Sequence, residues 1–255
     1  MGRPKRRRLG QNFLTDPRVA ERIVGLLDDR PQRVLEIGPG RGALTGALLD
    51  RFARVLAVEL DERLLPGLAA RFAGRGLELR HGDALAEPLD GLLGGETPWQ
   101  VAANLPYSVG TAILRRLLPR HDLFTRVAVM LQREVAERVV AVPSGSGHGL
   151  LALERAAWAD ARLAFNVGSG AFRPRPKVTS SVLVLDLHPP RHPQEVLARA
   201  LSLAAHALTR PRKTVANAIA PRADATTLAS AGLDPGARPG TLALEDWVRL
   251  AAAVG

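Results

Sequence analysis

From Arg33 to Phe52 the chain reads RVLEIGPGRGALTGALLDRF, a short apolar run, a loop with glycines at 38, 40 and 42, and then a helical run. Few folds accept that order. Glycines at the end of a buried strand let the backbone turn tightly and approach a bound ligand. The pattern then recurs, with strand character at 54–60, 77–83, 99–104 and 126–132, and helical stretches at 61–74, 113–118 and 135–142. Such alternation predicts an α/β fold with a doubly wound, mostly parallel sheet. After a Gly/Ser loop at 143–149 come a helix at 150–159 and two more strands at 161–168 and 180–187, which bring the sheet to seven and close it with an antiparallel end. Asp16 followed by Pro17 reads as the N-cap and first turn of a helix ahead of the first strand. Past the proline-rich break at 188–193 only helical patterns remain. Residues 1–189 are therefore expected to form the catalytic domain, behind a basic tail over 1–9, and 190–255 a small all-helical domain.

The glycine spacing departs from the G-x-G-x-x-G fingerprint, in which a diphosphate rests on a helix N-terminus. Glu36 stands just before the loop, where it would repel a diphosphate and suit a cation. Glu59 closes the second strand, a position from which a carboxylate accepts hydrogen bonds from both ribose hydroxyls. Asp83 closes the third, and can accept from an adenine amino group. Each acid alone reads equally well as a solvated loop residue. Together they occupy successive strand ends, where open α/β sheets bind ligands. An adenosine carrying a sulfonium, S-adenosylmethionine, fits the set better than a nicotinamide dinucleotide. Gly38 and Gly40 of the loop, with Leu60 and Ala84 beside the two acids, are counted with this cofactor site.

The fourth strand ends in NLPY, Asn104 to Tyr107. A turn is one use for these residues; chemistry at the switch point of the sheet is another. The exocyclic N6 of adenine is a poor nucleophile because its lone pair is delocalised into the ring. The side-chain oxygen of Asn104 and the carbonyl of Leu105 can accept its two hydrogens and draw it out of conjugation, with Pro106 fixing the backbone and Tyr107 stacking on the base. A base inside a helix is out of reach, so the target has to be flipped out or single-stranded. Aromatic residues make up only 4% of the chain, which singles out Phe172 as a second stacking ring, followed by Arg173, Arg175 and Lys177 to meet phosphates. The charge balance also points to a polyanion: 35 Lys and Arg against 25 Asp and Glu leave a formal +10, with Arg6, Arg7 and Arg8 grouped in the tail. The chain has no cysteine and its six histidines are scattered, so neither a disulfide framework nor a metal site is expected. No apolar run reaches membrane-spanning length and no signal-type stretch follows the basic tail, so a cytoplasmic location is expected.

These residues together resemble the ribosomal RNA adenine N6,N6-dimethyltransferases, Rossmann-like S-adenosylmethionine-dependent enzymes that modify two adjacent adenines near the 3′ end of 16S-type small-subunit rRNA. Five segments match in order: LGQNFL from Leu9, LEIGPGRGALT from Leu35, NLPYSV from Asn104, QREVAERVVA from Gln132 and FRPRPKVTSS from Phe172, with RKTVANAIA from Arg212 as a looser sixth. The resemblance implies that Asn12 and Leu14 close over the cofactor, that Gly38 contacts its amino-acid part, Glu59 its ribose and Asp83 its adenine, and that Asn104 serves both cofactor and target. It implies a target pocket of Asn104, Leu105, Pro106, Tyr107 and Phe172. It further implies a monomer whose helical domain, with Arg212 and Lys213, helps to grip an immature 30S-type particle. The chain departs from the family at GHGLLAL from Gly147 and by the proline in RPRKT from Arg210, both of which bear on the helical domain.

Two other readings stay open. One is the macrolide-resistance type, which methylates one adenine of 23S-type large-subunit rRNA through a nearly identical centre. The other is a non-catalytic nucleic-acid-binding or ribosome-assembly factor. Deleting residues 2–8 is expected to weaken RNA binding and to flatten its dependence on salt. An unchanged slope of log K against log salt would make the tail a solvated extension.

Overall fold

The structure, a computed structural model, describes residues 12–254. Arg6, Arg7 and Arg8 lie outside the described residues. The elements in chain order are β1 (Phe13–Leu14), α1 (Pro17–Val24), β2 (Arg33–Ile37), α2 (Ala43–Arg51), β3 (Arg54–Glu59), α3 (Leu65–Arg71), β4 (Leu77–His81), α4 (Leu89–Leu93), β5 (Trp99–Asn104), α5 (Gly110–Leu117), β6 (Phe124–Gln132), α6 (Arg133–Val140), α7 (Leu150–Trp158), β7 (Ala159–Val167), β8 (Phe172–Arg173), β9 (Ser180–Leu187), α8 (Gln194–Leu208), α9 (Val215–Ile219), α10 (Ala225–Ser230) and α11 (Leu244–Val254). Seven strands form one sheet in the order β4-β3-β2-β5-β6-β9-β7. The first five pair in parallel, and β9 runs antiparallel to β6. The expected antiparallel end is therefore present. Chain order reverses between β2 and β5, the switch point at which sheets of this kind leave a crevice.

The central strands are nearly continuous in apolar residues because both faces of a parallel sheet are covered. On one face, Ala20, Ile23, Val24 and Leu27 of α1 and its exit pack with Leu44 and Leu48 of α2 against Val34, Val55, Ala102, Ala128 and Met130. Burying each Ile or Leu of this layer contributes on the order of 1.5–3 kcal/mol. Asp16 caps α1 as its sequence predicts, its side chain accepting from the Arg18 amide with Pro17 in the first turn. The far end of α1 is held by Arg51 of α2, which donates to the carbonyls of Val24 and Leu27. Gln100, fully buried in β5, accepts from the Asp28 amide at 2.7 Å and donates to the carbonyls of Asp28 and Pro31. A buried amide satisfied in this way pins the turn from α1 into β2.

Two compact units divide the chain. One takes the residues up to Ala136 together with Arg162–Leu187; the other takes Glu137–Ala161 and His188 onward. The second unit resumes at His188, in the proline-rich stretch 188–193, and the stretch 137–161 groups with the C-terminal helices. The reason is the burial of α7: Leu153 and Ala157 enter one core with Leu197 and Leu203 of α8, Leu228 of α10 and Trp247 and Leu250 of α11.

Gly42 caps α2 in the left-handed conformation, φ +80°, and a Cβ there would stand 2.5 Å from Phe72 Cε2. Gly42→Ala is expected to cost roughly 2–4 kcal/mol by chemical denaturation. The control is Gly67→Ala on exposed α3, where a Cβ meets nothing within 4 Å and helix propensity predicts a small gain. A loss at Gly42 no larger than at Gly67 would refute the packing argument.

Candidate active site

The register of the sheet brings the predicted residues together. Ile37 of β2 lies opposite Ala103 of β5, so the glycine loop that follows Ile37 emerges beside Asn104. Glu59 lies opposite His81, so β3 and β4 end level and deliver Glu59 and Asp83 to the same side. An open cavity results at the carboxyl ends of these strands. Asn12, Leu14, Gly38, Gly40, Glu59, Leu60, Asp83, Ala84, Asn104, Leu105, Pro106 and Tyr107 all line it.

The carboxylates are unequal. Glu59 is buried, with one oxygen accepting from the Gly40 amide at 3.0 Å and the other from the Asp61 amide at 2.9 Å. It therefore braces the glycine loop and the turn after β3 as well as facing the cavity. Asp83 accepts from the Leu85 amide at 2.9 Å, while its carbonyl accepts from the amides of Ala86 and Glu87. Arg116 of α5 donates to the carbonyls of Ala84 and Glu87, tying this loop to the helix that follows NLPY. Glu36 is buried and its Oε2 has no hydrogen-bond partner. Burial pushes its carboxyl up to about 8, against the opposing effect of hydrogen bonding with Thr45 and with the charge of Glu59 acting in the same direction as burial. An orphaned buried oxygen in a cavity carrying three acids fits a cationic ligand.

NLPY is both a turn and part of the cavity. The Leu105 amide donates to the Met130 carbonyl, extending the sheet by one rung, and the Pro106 carbonyl accepts from the amides of Val109 and Gly110 to start α5. The Asn104 side-chain nitrogen donates to the Asn12 carbonyl at 3.1 Å, which leaves its oxygen as the acceptor for a ligand. The Tyr107 hydroxyl is 2.7 Å from the buried Ser180 hydroxyl, which fixes the ring. The arm carrying Asn12 is held by β1–β8 pairing, Phe13 with Arg173 and Leu14 with Phe172, and by the Thr15 amide donating to the Ala171 carbonyl.

Phe172 departs from expectation. It is 1% exposed, packed in the core with Leu14 and Val167, and does not line the cavity, because pairing with Leu14 turns it inward. Arg173, Arg175 and Lys177 after it are exposed, as are Arg212 and Lys213 in the other unit. Phe13, Arg41, Val109 and Ile113 line the cavity without having been singled out by sequence. Phe13 had a signal, since it lies between Asn12 and Leu14 and its ring sits on Gly40, where a Cβ would come within 2.9 Å. Among the described residues, no group of three or more His, Asp or Glu could hold a metal ion, and no helix is long and apolar enough to cross a membrane.

Because the folded protein holds the Glu36 proton more tightly than the unfolded chain does, ionisation of Glu36 opposes folding increasingly from about pH 4.5 to about pH 8. Ligand-free Glu36→Gln is therefore expected to gain stability over the parent between pH 5.5 and 8.5, by up to roughly 4 kcal/mol. The check is urea unfolding at both pH values. A difference that does not widen with pH would mean that Glu36 ionises as an ordinary carboxylate.

Comparison with known proteins bears on this site. The family model described as "Ribosomal RNA adenine dimethylase" matches residues 2–254. A protein of Geobacter metallireducens named "Ribosomal RNA small subunit methyltransferase A" is 39% identical over 98% of this chain and 95% of the relative. One of the same name from Magnetococcus marinus is 42% identical over 96% and 90%. Among solved structures, the 23S rRNA methyltransferase ErmE superposes with a TM-score of 0.73 at 26% identity, covering 95% of this chain and 99% of that one. A dimethyladenosine transferase from Plasmodium falciparum gives a TM-score of 0.75 at 22% identity, over 93% and 95%, a likeness of fold.

Proposed function

We propose, since the chain belongs to the ribosomal RNA adenine dimethylase family, that it transfers methyl groups from S-adenosylmethionine to N6 of two adjacent adenines near the 3′ end of small-subunit rRNA. The target subunit follows the relatives of about 40% identity, which are named for it and match along nearly their whole length. The observation that carries the chemistry is the juxtaposition of Asn104 with the three-acid cavity at the β2/β5 switch point.

The cofactor, when bound, supplies an electrophilic methyl on a sulfonium. The chain's own residues bind and orient. Gly38 and Gly40 would take the amino-acid part of the cofactor, Glu36 its positive charge, Glu59 its ribose, and Asp83 its adenine, with Leu60 and Ala84 alongside. The target adenine would stack on Tyr107, held by Ser180, and give its N6 hydrogens to Asn104 and the Leu105 carbonyl. Orientation then supplies most of the acceleration. The arm at Asn12–Leu14 excludes water from the closed site.

Arg173, Arg175 and Lys177 on one unit and Arg212 and Lys213 on the other are proposed as phosphate contacts, with the helical unit gripping a partly assembled small subunit. The same reading makes the protein a cytoplasmic monomer. The competing substrate, large-subunit rRNA, is favoured by the ErmE likeness but at lower identity.

The test is transfer of radiolabelled methyl to purified undermethylated small subunits, beside naked large-subunit rRNA. Label in small-subunit dimethyladenine is expected; label confined to the large-subunit RNA would move the enzyme to the resistance type, and label in neither would favour a binding factor. Asn104→Ala is expected to lower transfer by at least about a thousandfold, on the order of 4 kcal/mol, with an unchanged unfolding midpoint. Turnover by this variant at the parent rate would remove Asn104 from the mechanism.

A further inference from the structure

Glu36, Glu59 and Asp83 give the cavity three acids, and among the described residues that line it Arg41 is the one cation. On the methyltransferase reading, a sulfonium and a ribose account for acids. They give no reason for an arginine. Arg41 sits within the glycine loop itself, between Gly40 and Gly42, and its backbone carbonyl accepts from Arg71 Nη1 at 2.7 Å. Its guanidinium lies 4.8 Å over the Phe13 ring, and that ring rests on Gly40. No carboxylate pairs with Arg41 among the described residues, and the segment 1–11 contains no Asp or Glu. A guanidinium held over an aromatic ring by cation–π attraction spends no N–H donor on a carboxylate, so its donors remain available for one.

We propose that Arg41 binds the carboxylate of the cofactor's methionine moiety, and that Phe13, by stacking, holds the fork in place when the arm lies on the loop. The inference deepens the methyltransferase reading and rests on it. It makes the amino-acid end of the cofactor doubly read, by acids for its positive charge and by Arg41 for its negative one.

The experiment is calorimetric titration of the full chain and of Arg41→Met with two ligands, S-adenosylmethionine and its decarboxylated analogue, which keeps the sulfonium and the amine. Methionine retains the stem and removes the fork, and the exposed position lets the variant fold. The expected result is a loss of about tenfold in affinity for S-adenosylmethionine and of less than about twofold for the analogue. Equal loss for both ligands would overturn the proposal and show that Arg41 acts only through the arm. Unchanged cofactor affinity with a reduced salt slope for RNA would overturn it in favour of a phosphate contact. If the parent chain binds S-adenosylmethionine and the variant binds it equally well, only this inference fails. If the parent binds neither ligand, the methyltransferase reading fails as well.

Discussion

The parallel pairing of β2 with β5 decides where everything else in the site goes. Chain order departs in opposite directions from that pair, so no crossover covers the carboxyl ends of the two strands, and a crevice is left there. One rung of register sets the chemistry: with Ile37 opposite Ala103, the glycine loop and Asn104 leave the sheet side by side. A slip of one residue would turn Asn104 to the opposite face and bring Ala103 or Leu105 in its place. Gln100 and the α1–α2 layer guard that register, the first through three hydrogen bonds to the turn ahead of β2 and the second by covering the apolar face of both strands.

Three carboxyl groups in one cavity set a cost that the ligand-free protein meets in two ways. Glu59 keeps its burial tolerable by accepting from two backbone amides, and the same bonds shape the loop on which the cofactor would rest. Glu36 has no such partner for Oε2 and is held largely neutral near pH 7 instead. A cation entering beside it would favour the ionised form, so binding would release a proton and tighten as pH rises toward 8. The buried acid thus works as a weak anion when the site is empty and a strong one when a positive group arrives.

Much of this was legible in the sequence because it depended on short-range signals. The strand-helix alternation, the cap at Asp16 and the acids at strand ends all follow from residues within a turn or two of one another. What was not legible depended on contacts far apart in the chain. Phe172 reads as a stacking ring because basic residues and prolines surround it, yet its environment is set by a two-residue ladder with Phe13 and Leu14, some 160 positions away, too short to carry any periodicity. The grouping of 137–161 with the last helices is likewise fixed by where α7 buries Leu153 and Ala157. Ser180 escaped notice for the same reason, since a serine at the head of a strand announces no partner until Tyr107 is found against it.

A cavity that reads an adenine by its amino group cannot by itself choose which adenine. On the proposed reading, Asn104 and the Leu105 carbonyl would read one amino group and Tyr107 would accept any flat base, so every accessible adenine of a ribosome would present the same features to them. The difference between a small-subunit and a large-subunit target therefore has to arise outside the cavity, in surfaces that meet phosphates and RNA shape. The exposed Arg173, Arg175 and Lys177 sit on the segment whose first residues hold the arm through Phe172 and Arg173. That segment pairs with Phe13 and Leu14, next to Asn12, whose carbonyl accepts from the Asn104 side-chain nitrogen. The residues proposed to meet RNA are thus connected, through β8 and β1, to the residue proposed to align the attacking nitrogen.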